Sequence, residues 1–529
     1  MAKGSKERRI IERNSMTDLI FFNANVITLN PATEKARLVS VKNGRIQAVS
    51  SNDAVRDLKQ KRTRLVDCGG KTLLPGFCDA HFHLWASASC LMTLDVSPQA
   101  NVSSITDILT KIHECSKTLA PGSWIMASGY NEFYLAEKQH PTCQELDEAA
   151  PDHPIKLTHR SHHAHVLNSL ALKQVGISRY TPEPPGGLID RYIDTGEPNG
   201  VLFEMSGFLS ERVPRISDKE FSRGVRLLNQ KLLSLGITSI HEASFMNGLQ
   251  EWESLCSIKT KKDFLPRITM ALGVKGFEKK NKYASSIDRE QLKISSVKII
   301  LDETTGRLFP SQKELDRLVL NIHQAGLQAS IHAIEQSAVE SACNAIEYAL
   351  KKMPNPDHRH RIEHCSVCSP SLAKRLASLK IIVVTQPSFI HYNGDRYLKT
   401  IAKEDIAHLY PIGTLQKSGV IVAGSSDSPI VEPNPITGIY STISRMAKTG
   451  KTVSAKESID LLSALKMFTN NAAKACFDED MKGSITPGKL ADMVLLSKDP
   501  TKLSSEEVKD IKVVMTMIDG KIVWESSEH

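Results

Sequence analysis

Three His-x-His pairs stand among the 18 histidines of this 529-residue chain, at His81/His83, His163/His165 and His358/His360. Roughly one such pair is expected by chance at this histidine content, so spacing alone does not choose among them. Position does. His81-Phe-His83 follows a short apolar run led in by LLPGFCDA, where strand alternation turns both imidazoles to one side and toward one ion. Three further residues able to hold metal end later apolar runs: His332 in QASIHA, His364 in RIEHC and Asp427 in VIVAGSSD. Each taken alone reads more simply as a hydrogen-bonded core or surface residue. Their joint placement, at the end of run after run, favours a shared centre. Imidazole nitrogens and a carboxylate at ~2.0–2.2 Å suit a zinc-like divalent ion, and a site that keeps an open position is catalytic in type.

Lys298, late in the run SVKIILD, is the odd member. An ammonium with an unperturbed pKa of roughly 10.4 would repel cations gathered beside it. Two readings stay open: a salt-bridged or snorkelling lysine outside the site, or an amine carrying a carbon dioxide adduct, an anionic carbamate that bridges two metals.

The elements that must position these residues are short apolar runs alternating with segments of helical period such as KELDRLVLNIHQAG and SAVESACNAIEYALKKM, the pattern of repeated βα units and a parallel sheet. Eight runs are candidate strands: 76–81, 155–160, 237–242, 296–302, 328–333, 361–365, 381–386 and 420–427. Eight such units predict an α/β fold, a (β/α)8 TIM-like barrel whose active site lies at the C-terminal strand ends. The stretches 85–154 and 181–200 are too long for tight βα connections and are candidates for lids or an inserted subdomain. Alternating runs punctuated by Asn-Gly and Gly-Gly in 18–72, and again in GSITPGKLADMVLLSKD and VVMTMIDGKIVWES, read as hairpin strands, so both chain ends are expected to build one small β domain. The expected divisions are a basic tail over 1–17, β segments over 18–72 and 481–529, and the barrel over 73–480.

Composition narrows the classes. Hydrophobic residues at 41% and charged residues at 24% are those of a globular chain, neither disordered nor membrane-embedded. No apolar stretch approaches the roughly 18 residues that span a bilayer, and the first 16 residues lack the apolar core of a secretory signal, so a cytoplasmic protein with no membrane partner is expected. The net charge of +8 falls to about +5 once the five Lys/Arg and two Glu of residues 1–16 are set aside, and aromatics are only 5%, which argues against nucleic acid. Most of the ten cysteines sit singly in apolar segments (Cys68, Cys78, Cys90, Cys256, Cys343) and read as reduced core thiols. The expected partner is a small-molecule substrate, and a homodimer is an open alternative to a monomer.

GFCDAHFHL, SVKIILD, SIHA, RIEHC and GSSDSP, in this order, resemble the amidohydrolase superfamily, most closely its YtcJ-like, Amidohydro_3 branch of metal-dependent hydrolases. PTCQELDEAAPDHPIKL, HAHVLNS, NGVLFE, LGITSIHEAS, VTQPSF, NPITGI and KGSITPGKLADMVLL extend the resemblance from about residue 18 to 525. The resemblance implies that His81 and His83 bind one metal, zinc by donor type, and that His332 and His364 bind a second. It implies that carboxylated Lys298 bridges them, that Asp427 ligands the first metal while handling protons, and that the flanking β segments form a small sandwich. It further implies hydrolysis of carbon–nitrogen bonds other than peptide bonds, N-substituted amides or formamides foremost, with cyclic amides and esters as alternatives. His163 and Glu204 occupy recurring positions of the branch and are candidate substrate contacts, as are Arg160, Gln386 and Tyr410 near strand ends or loops. The chain departs from the branch at DETTGRL (302–308) and at His332-Ala-Ile-Glu335-Gln336-Ser337.

Three rivals compete. His358, His360, His364, Cys365 and Cys368 crowd five soft or borderline ligands into HRHRIEHCSVC, a structural zinc site in principle, yet no second CxxC accompanies them. A serine hydrolase needs a GxSxG elbow, and the common nucleotide-dependent classes need GxGxxG or GxxxxGK[ST]; none occurs. A non-catalytic scaffold should have lost ligands, whereas all six positions here are chemically competent.

Overall fold

The computed structural model describes residues 17–33, 35–184, 186–214, 216–283, 286–302 and 308–527. Eight parallel strands form its central sheet: β1 (Phe77–Phe82), β2 (Ile237–Glu242), β3 (Arg267–Gly273), β4 (Leu292–Ile300), β5 (Gln328–Ala333), β6 (Arg361–His364), β7 (Ile382–Thr385) and β8 (Val422–Gly424). Each pairs with the next in parallel register. β8 and β1 meet without a ladder, and hydrogen bonds to the Asp79 side chain and from the backbone beyond β8 close the ring. Asp79 accepts hydrogen bonds from the Ser426 amide (3.1 Å) and hydroxyl, and the Asp427 amide donates to the His81 carbonyl at 3.0 Å. Amphipathic helices cover the outside. The helix Asp218–Ser234, for example, starts at a Ser217/Glu220 capping box and buries Val225, Leu228, Leu232 and Leu233 against the strands.

One of the eight expected barrel strands is wrong, and one barrel strand was missed. Residues 155–160 do not form the second strand. Ile155–His159 belongs to a separate six-stranded sheet, parallel to Ile125–Tyr130 and antiparallel to Ala164–Leu167, which is inserted between β1 and β2 and runs from Leu94 to Phe203. The two long stretches expected as lids or an inserted subdomain both contribute to this one sheet, which has its own apolar core, including Ile108, Leu146, Ile155, Leu157 and Val166. The missing strand is β3, RITMALG, buried along its whole length. It ends in Gly273, where an added Cβ would lie 2.0 Å from the Phe245 carbonyl oxygen, so no chemical side chain marks its end.

Strands from both chain ends share a sheet. Met493–Leu496 runs antiparallel to Thr72–Pro75, and a second sheet of four strands (Arg45–Ser50, Leu38–Lys42, Leu19–Phe22, Arg64–Asp67) accompanies it. Phe21, Val39, Val41, Leu73, Met493, Leu495 and Met517 pack together there. Asn43-Gly44 and Asp519-Gly520 turn two of its hairpins, all four residues at positive φ, as two-residue turns of this hand require. All ten cysteines are free thiols. Among the described residues, no helix is long and apolar enough to cross a membrane.

Candidate metal centre

The barrel interior at the C-terminal strand ends is polar, and strand register explains how. Lys298, Ser330 and Arg361 lie at one level across β4, β5 and β6, and His332 pairs with Glu363 above them. Arg361 and Glu363, two apart on β6, both point inward and are fully buried. Glu363 takes hydrogen bonds from the Ser330 hydroxyl and from His81 Nδ1 (2.6 Å), and it forms an ion pair with Arg361, whose Nε lies 2.6 Å away and donates to Ser330 Oγ at 3.2 Å. Burial alone would push the Glu363 carboxyl up; the guanidinium of Arg361 and the nearby Lys298 bring it below its ordinary value. Arg361 also reaches His241 Nδ1 at 2.7 Å.

Alternation would send His364, the residue after Glu363, to the opposite face. Its φ of 72° ends the strand and returns the ring to the mouth, 5.0 Å from the ring of His81 and 4.3 Å from that of His332. Asp427 stands at a φ of 59°, which turns its carboxylate across the seam between β8 and β1. There it lies 3.0 Å from His83 Nε2 and 3.4 Å from His81 Nε2. Non-glycine residues at such angles are held by their surroundings and concentrate at functional sites.

Three imidazoles are anchored through Nδ1 and present Nε2 to the centre. His81 is held by Glu363; His83 lies 3.1 Å from the Ser244 hydroxyl; His364 Nδ1 lies 2.9 Å from Gln386 Oε1. The anchors are themselves fixed. Gln386 donates to Ser425 Oγ at 3.1 Å, Ser425 donates to the Thr385 carbonyl, and Glu242 receives the Ser244 amide at 2.8 Å. An Nδ1–H bound to an acceptor fixes the tautomer that leaves Nε2 as a lone-pair donor to a metal.

Lys298 brings its Nζ to 3.4 Å from His81 Nε2 and is 2% exposed. Burial lowers its ammonium to about 8, against the opposing pull of Glu363 and Asp427. Burial would raise the Asp427 carboxyl, but the His83 hydrogen bond and the charges of His81 and His364 hold it well below the usual carboxylate range. His81 and His332 are both held well below ordinary histidine values, first by burial.

The donor set fits a divalent cation. One ligand atom each from His81, His83 and Asp427 lies within 4.8 Å of the others, two nitrogens and an oxygen of the borderline type that zinc takes. His332 and His364 meet edge to face beside this group, so all six residues expected at the centre surround one mouth.

The substrate candidates divide. His163 and Glu204 form a hydrogen-bonded pair at 2.8 Å on the inserted sheet, both open to solvent; the Glu204 hydrogen bond raises His163, and Asp427 and Asp302 lie within its electrostatic reach. Gln386 sits fully buried behind His364 with both ends of its amide engaged, so it supports the centre from behind and does not line the mouth. Arg160 fastens its Nε to the Ile430 carbonyl at 3.2 Å, on the turn that follows Asp427. Residues 303–307 of DETTGRL lie outside the described residues.

Glu363, Arg361, Asp79 and Ser244 were not among the residues expected at the site. RIEHC offered a signal for Glu363, a carboxylate inside a buried run, which demands a partner. Nothing local marked Ser244.

The rival zinc site is not assembled. His358 Nε2 lies 2.8 Å from the Leu379 carbonyl and its Nδ1 receives the His360 amide at 2.9 Å; His360 Nδ1 receives the Ala329 amide at 2.9 Å and its Nε2 meets His323 Nδ1 at 2.9 Å. His364 sits at the other end of β6, about 10 Å along the strand from Arg361.

Known proteins place this site in context. The chain is 28% identical to an N-substituted formamide deformylase of Arthrobacter pascens, over 96% of this chain and 99% of that protein. It is 26% identical to the YtcJ amidohydrolase of Bacillus subtilis (strain 168), again over 96% and 99%. A metal-dependent hydrolase of Pyrococcus horikoshii OT3 shares its fold, with a TM-score of 0.72 at 20% identity over 92% of this chain and 99% of that one. The Amidohydrolase family model matches residues 64–524, and the chain belongs to that family: it is an enzyme, an amidohydrolase of the Amidohydro_3 branch.

Proposed function

We propose that this enzyme hydrolyses the carbon–nitrogen bond of N-substituted amides, formamides foremost. The observation that carries this reading is the convergence of three Nδ1-anchored imidazoles on Asp427 and Lys298 at one barrel mouth. The deformylase relative supports the substrate class.

His81, His83, His332, His364 and Asp427 would hold one or two zinc ions. Bound there, a divalent ion supplies Lewis acidity toward a carbonyl and acidifies water toward pH ~7. Lys298 fits this set as a carbamate: a bare ammonium 3.4 Å from a metal-facing imidazole nitrogen would oppose cation binding, whereas the anionic adduct favours it. Asp427, ionised and pinned at the seam, accepts the proton of the attacking water and returns it to the departing nitrogen, without which the amine leaves as a poor anion. His163, with Glu204 holding its Nδ1 and Asp427 within its electrostatic reach, serves as a donor toward substrate oxygen. The enzyme works in the cytoplasm on this reading.

The test is a panel of N-formyl, N-acetyl, cyclic-amide and ester compounds given to metal-loaded protein, with amine release measured directly. Turnover of N-formyl amines above the others is expected. Hydrolysis confined to lactams or esters would replace the reading by those reactions, and metal binding without any turnover would return the protein to a scaffold. A carbamate carbon resonance after exchange with 13C-bicarbonate checks Lys298, and its absence in active, metal-replete enzyme would remove the adduct.

A further inference from the structure

Where the inserted sheet meets the barrel mouth, two guanidiniums have donors left over. Arg160 follows the strand Ile155–His159; its amide donates to the Tyr130 carbonyl at 2.9 Å and its Nε to the Ile430 carbonyl at 3.2 Å. The Ile430 amide in turn donates to the Asp427 carbonyl at 3.0 Å, so this guanidinium rests on the first turn beyond Asp427. Arg396, on the helix Ser388–Thr400, lies over the Tyr397 ring at 5.4 Å. Arg160 Nη2 and Arg396 Nε are both shut off from solvent, and neither has a hydrogen-bond partner among the described residues.

The two cations feel each other, and phenols surround them. Tyr134, Tyr392 and Tyr397 lie within electrostatic reach of Arg160, as does Arg396. Tyr134 ties the inserted sheet to the helix by donating to the Tyr392 carbonyl at 2.6 Å, and the Tyr397 hydroxyl lies 3.3 Å from that of Tyr410, which senses Asp427. Carboxylates of this neighbourhood are engaged elsewhere: Glu132 with His159, Glu432 with Lys231, and Asp395 with the Thr449 hydroxyl. Two buried N–H groups of like charge without an acceptor cost free energy until an anion meets them, and guanidinium donors suit a planar oxyanion.

We propose that Arg160 and Arg396 bind a carboxylate carried on the substrate, with the tyrosines flanking its carbon skeleton. Resting on the amide-hydrolase reading above, this makes the preferred substrates N-acyl or N-formyl compounds that bear a free carboxylate.

Binding tests the pocket apart from turnover. Calorimetry on metal-loaded protein compares phenylacetate with 2-phenylethanol, the same skeleton without the charge. Phenylacetate should bind about 10- to 100-fold more tightly, the range that charged hydrogen bonds supply. That preference should vanish in Arg160→Met, fall in Arg396→Gln, survive in part in Arg160→Lys, and persist in His83→Ala. Equal binding of both probes to the wild type, or a preference that survives both arginine replacements, overturns the proposal. Loss of the preference in His83→Ala also overturns it, because the metal would then be the anion's partner. Should Arg160→Met fail to fold, as judged by its melting curve, Arg396→Gln and Arg160→Lys decide. These readings hold even for a protein that hydrolyses no amide, so the two proposals fail separately. With activity in hand, N-formylphenylalanine should exceed its methylamide in kcat/KM, and equal values would exclude the carboxylate from recognition.

Discussion

His81/His83 and His358/His360 share one spacing and lie at opposite ends of the same barrel, yet their rings spend their nitrogens in opposite ways. At the mouth, His81 and His364 give Nδ1–H to Glu363 and Gln386, so each Nε2 faces the centre with a lone pair. At the base, Nδ1 of His358 and of His360 is taken by a backbone N–H, which fixes the proton on Nε2 and sends it to Leu379 and to His323; His323 passes its own to the Met353 carbonyl. The base triplet is saturated by the fold, whereas the mouth triplet is half-saturated and aimed. Availability of the second nitrogen, rather than histidine density, separates a metal centre from a structural cluster.

The largest effect should come from Asp427, the mouth carboxylate, which has no counterpart at the base. Asp427→Asn keeps the size and one oxygen donor but removes the proton acceptor, so turnover should fall by about 10²–10⁴ while metal remains measurable by elemental analysis. A near-normal rate would take Asp427 out of proton transfer. Next comes Glu363→Gln, which trades the anionic anchor of His81 for a neutral one. Metal affinity, read by chelator competition, should drop by about 10–100-fold, and the 15N shifts of His81 should show loss of the fixed Nδ1–H form. Glu363 also pairs with buried Arg361, so a melting curve must accompany the measurement. Unchanged affinity in a folded variant would make the tautomer lock irrelevant to metal binding.

Much of the mouth was legible because a chemical side chain stands at or near the end of five of the eight barrel strands: His81, Lys298, His332, His364 and Asp427. The barrel strands were less so. Ile155–His159 resembles a barrel strand because parallel pairing within the inserted sheet imposes the same buried pattern. β3 passed unnoticed because the Phe245 backbone leaves room only for Gly273 at its end. Glu363 stayed hidden for a conformational reason. Alternation allows either Glu363 or His364 to face inward, and the positive φ that admits both is set by the assembled barrel, not by residue type.

At the base the expected effect is on folding alone. His360→Ala leaves the Ala329 amide without its acceptor and His323 without its donor, at about 1–3 kcal/mol for each buried group so orphaned. Urea denaturation should show that loss, with metal content unchanged. Burial holds His360 below its ordinary value, so the unfolded chain takes up the proton first and stability declines as pH falls through about 6.5. His360→Ala should make that acid-side decline shallower. Metal loss in this variant would mean that the two ends are energetically one unit.

The smallest effect sharpens the contrast within the mouth itself. Its three anchors differ in kind: a buried carboxylate on His81, a buried amide on His364 and a hydroxyl on His83, whose ring is 24% exposed. A neutral hydrogen bond contributes about 1 kcal/mol net, roughly fivefold in a binding constant, and water can replace a hydroxyl beside a partly open ring. Ser244→Ala should therefore weaken metal binding by about fivefold or less, and Gln386→Leu should fall between it and Glu363→Gln. The same chelator competition on all three variants gives the order directly. If Ser244→Ala matches Glu363→Gln, then the charge of the acceptor is immaterial, and what the anchors supply is ring orientation alone.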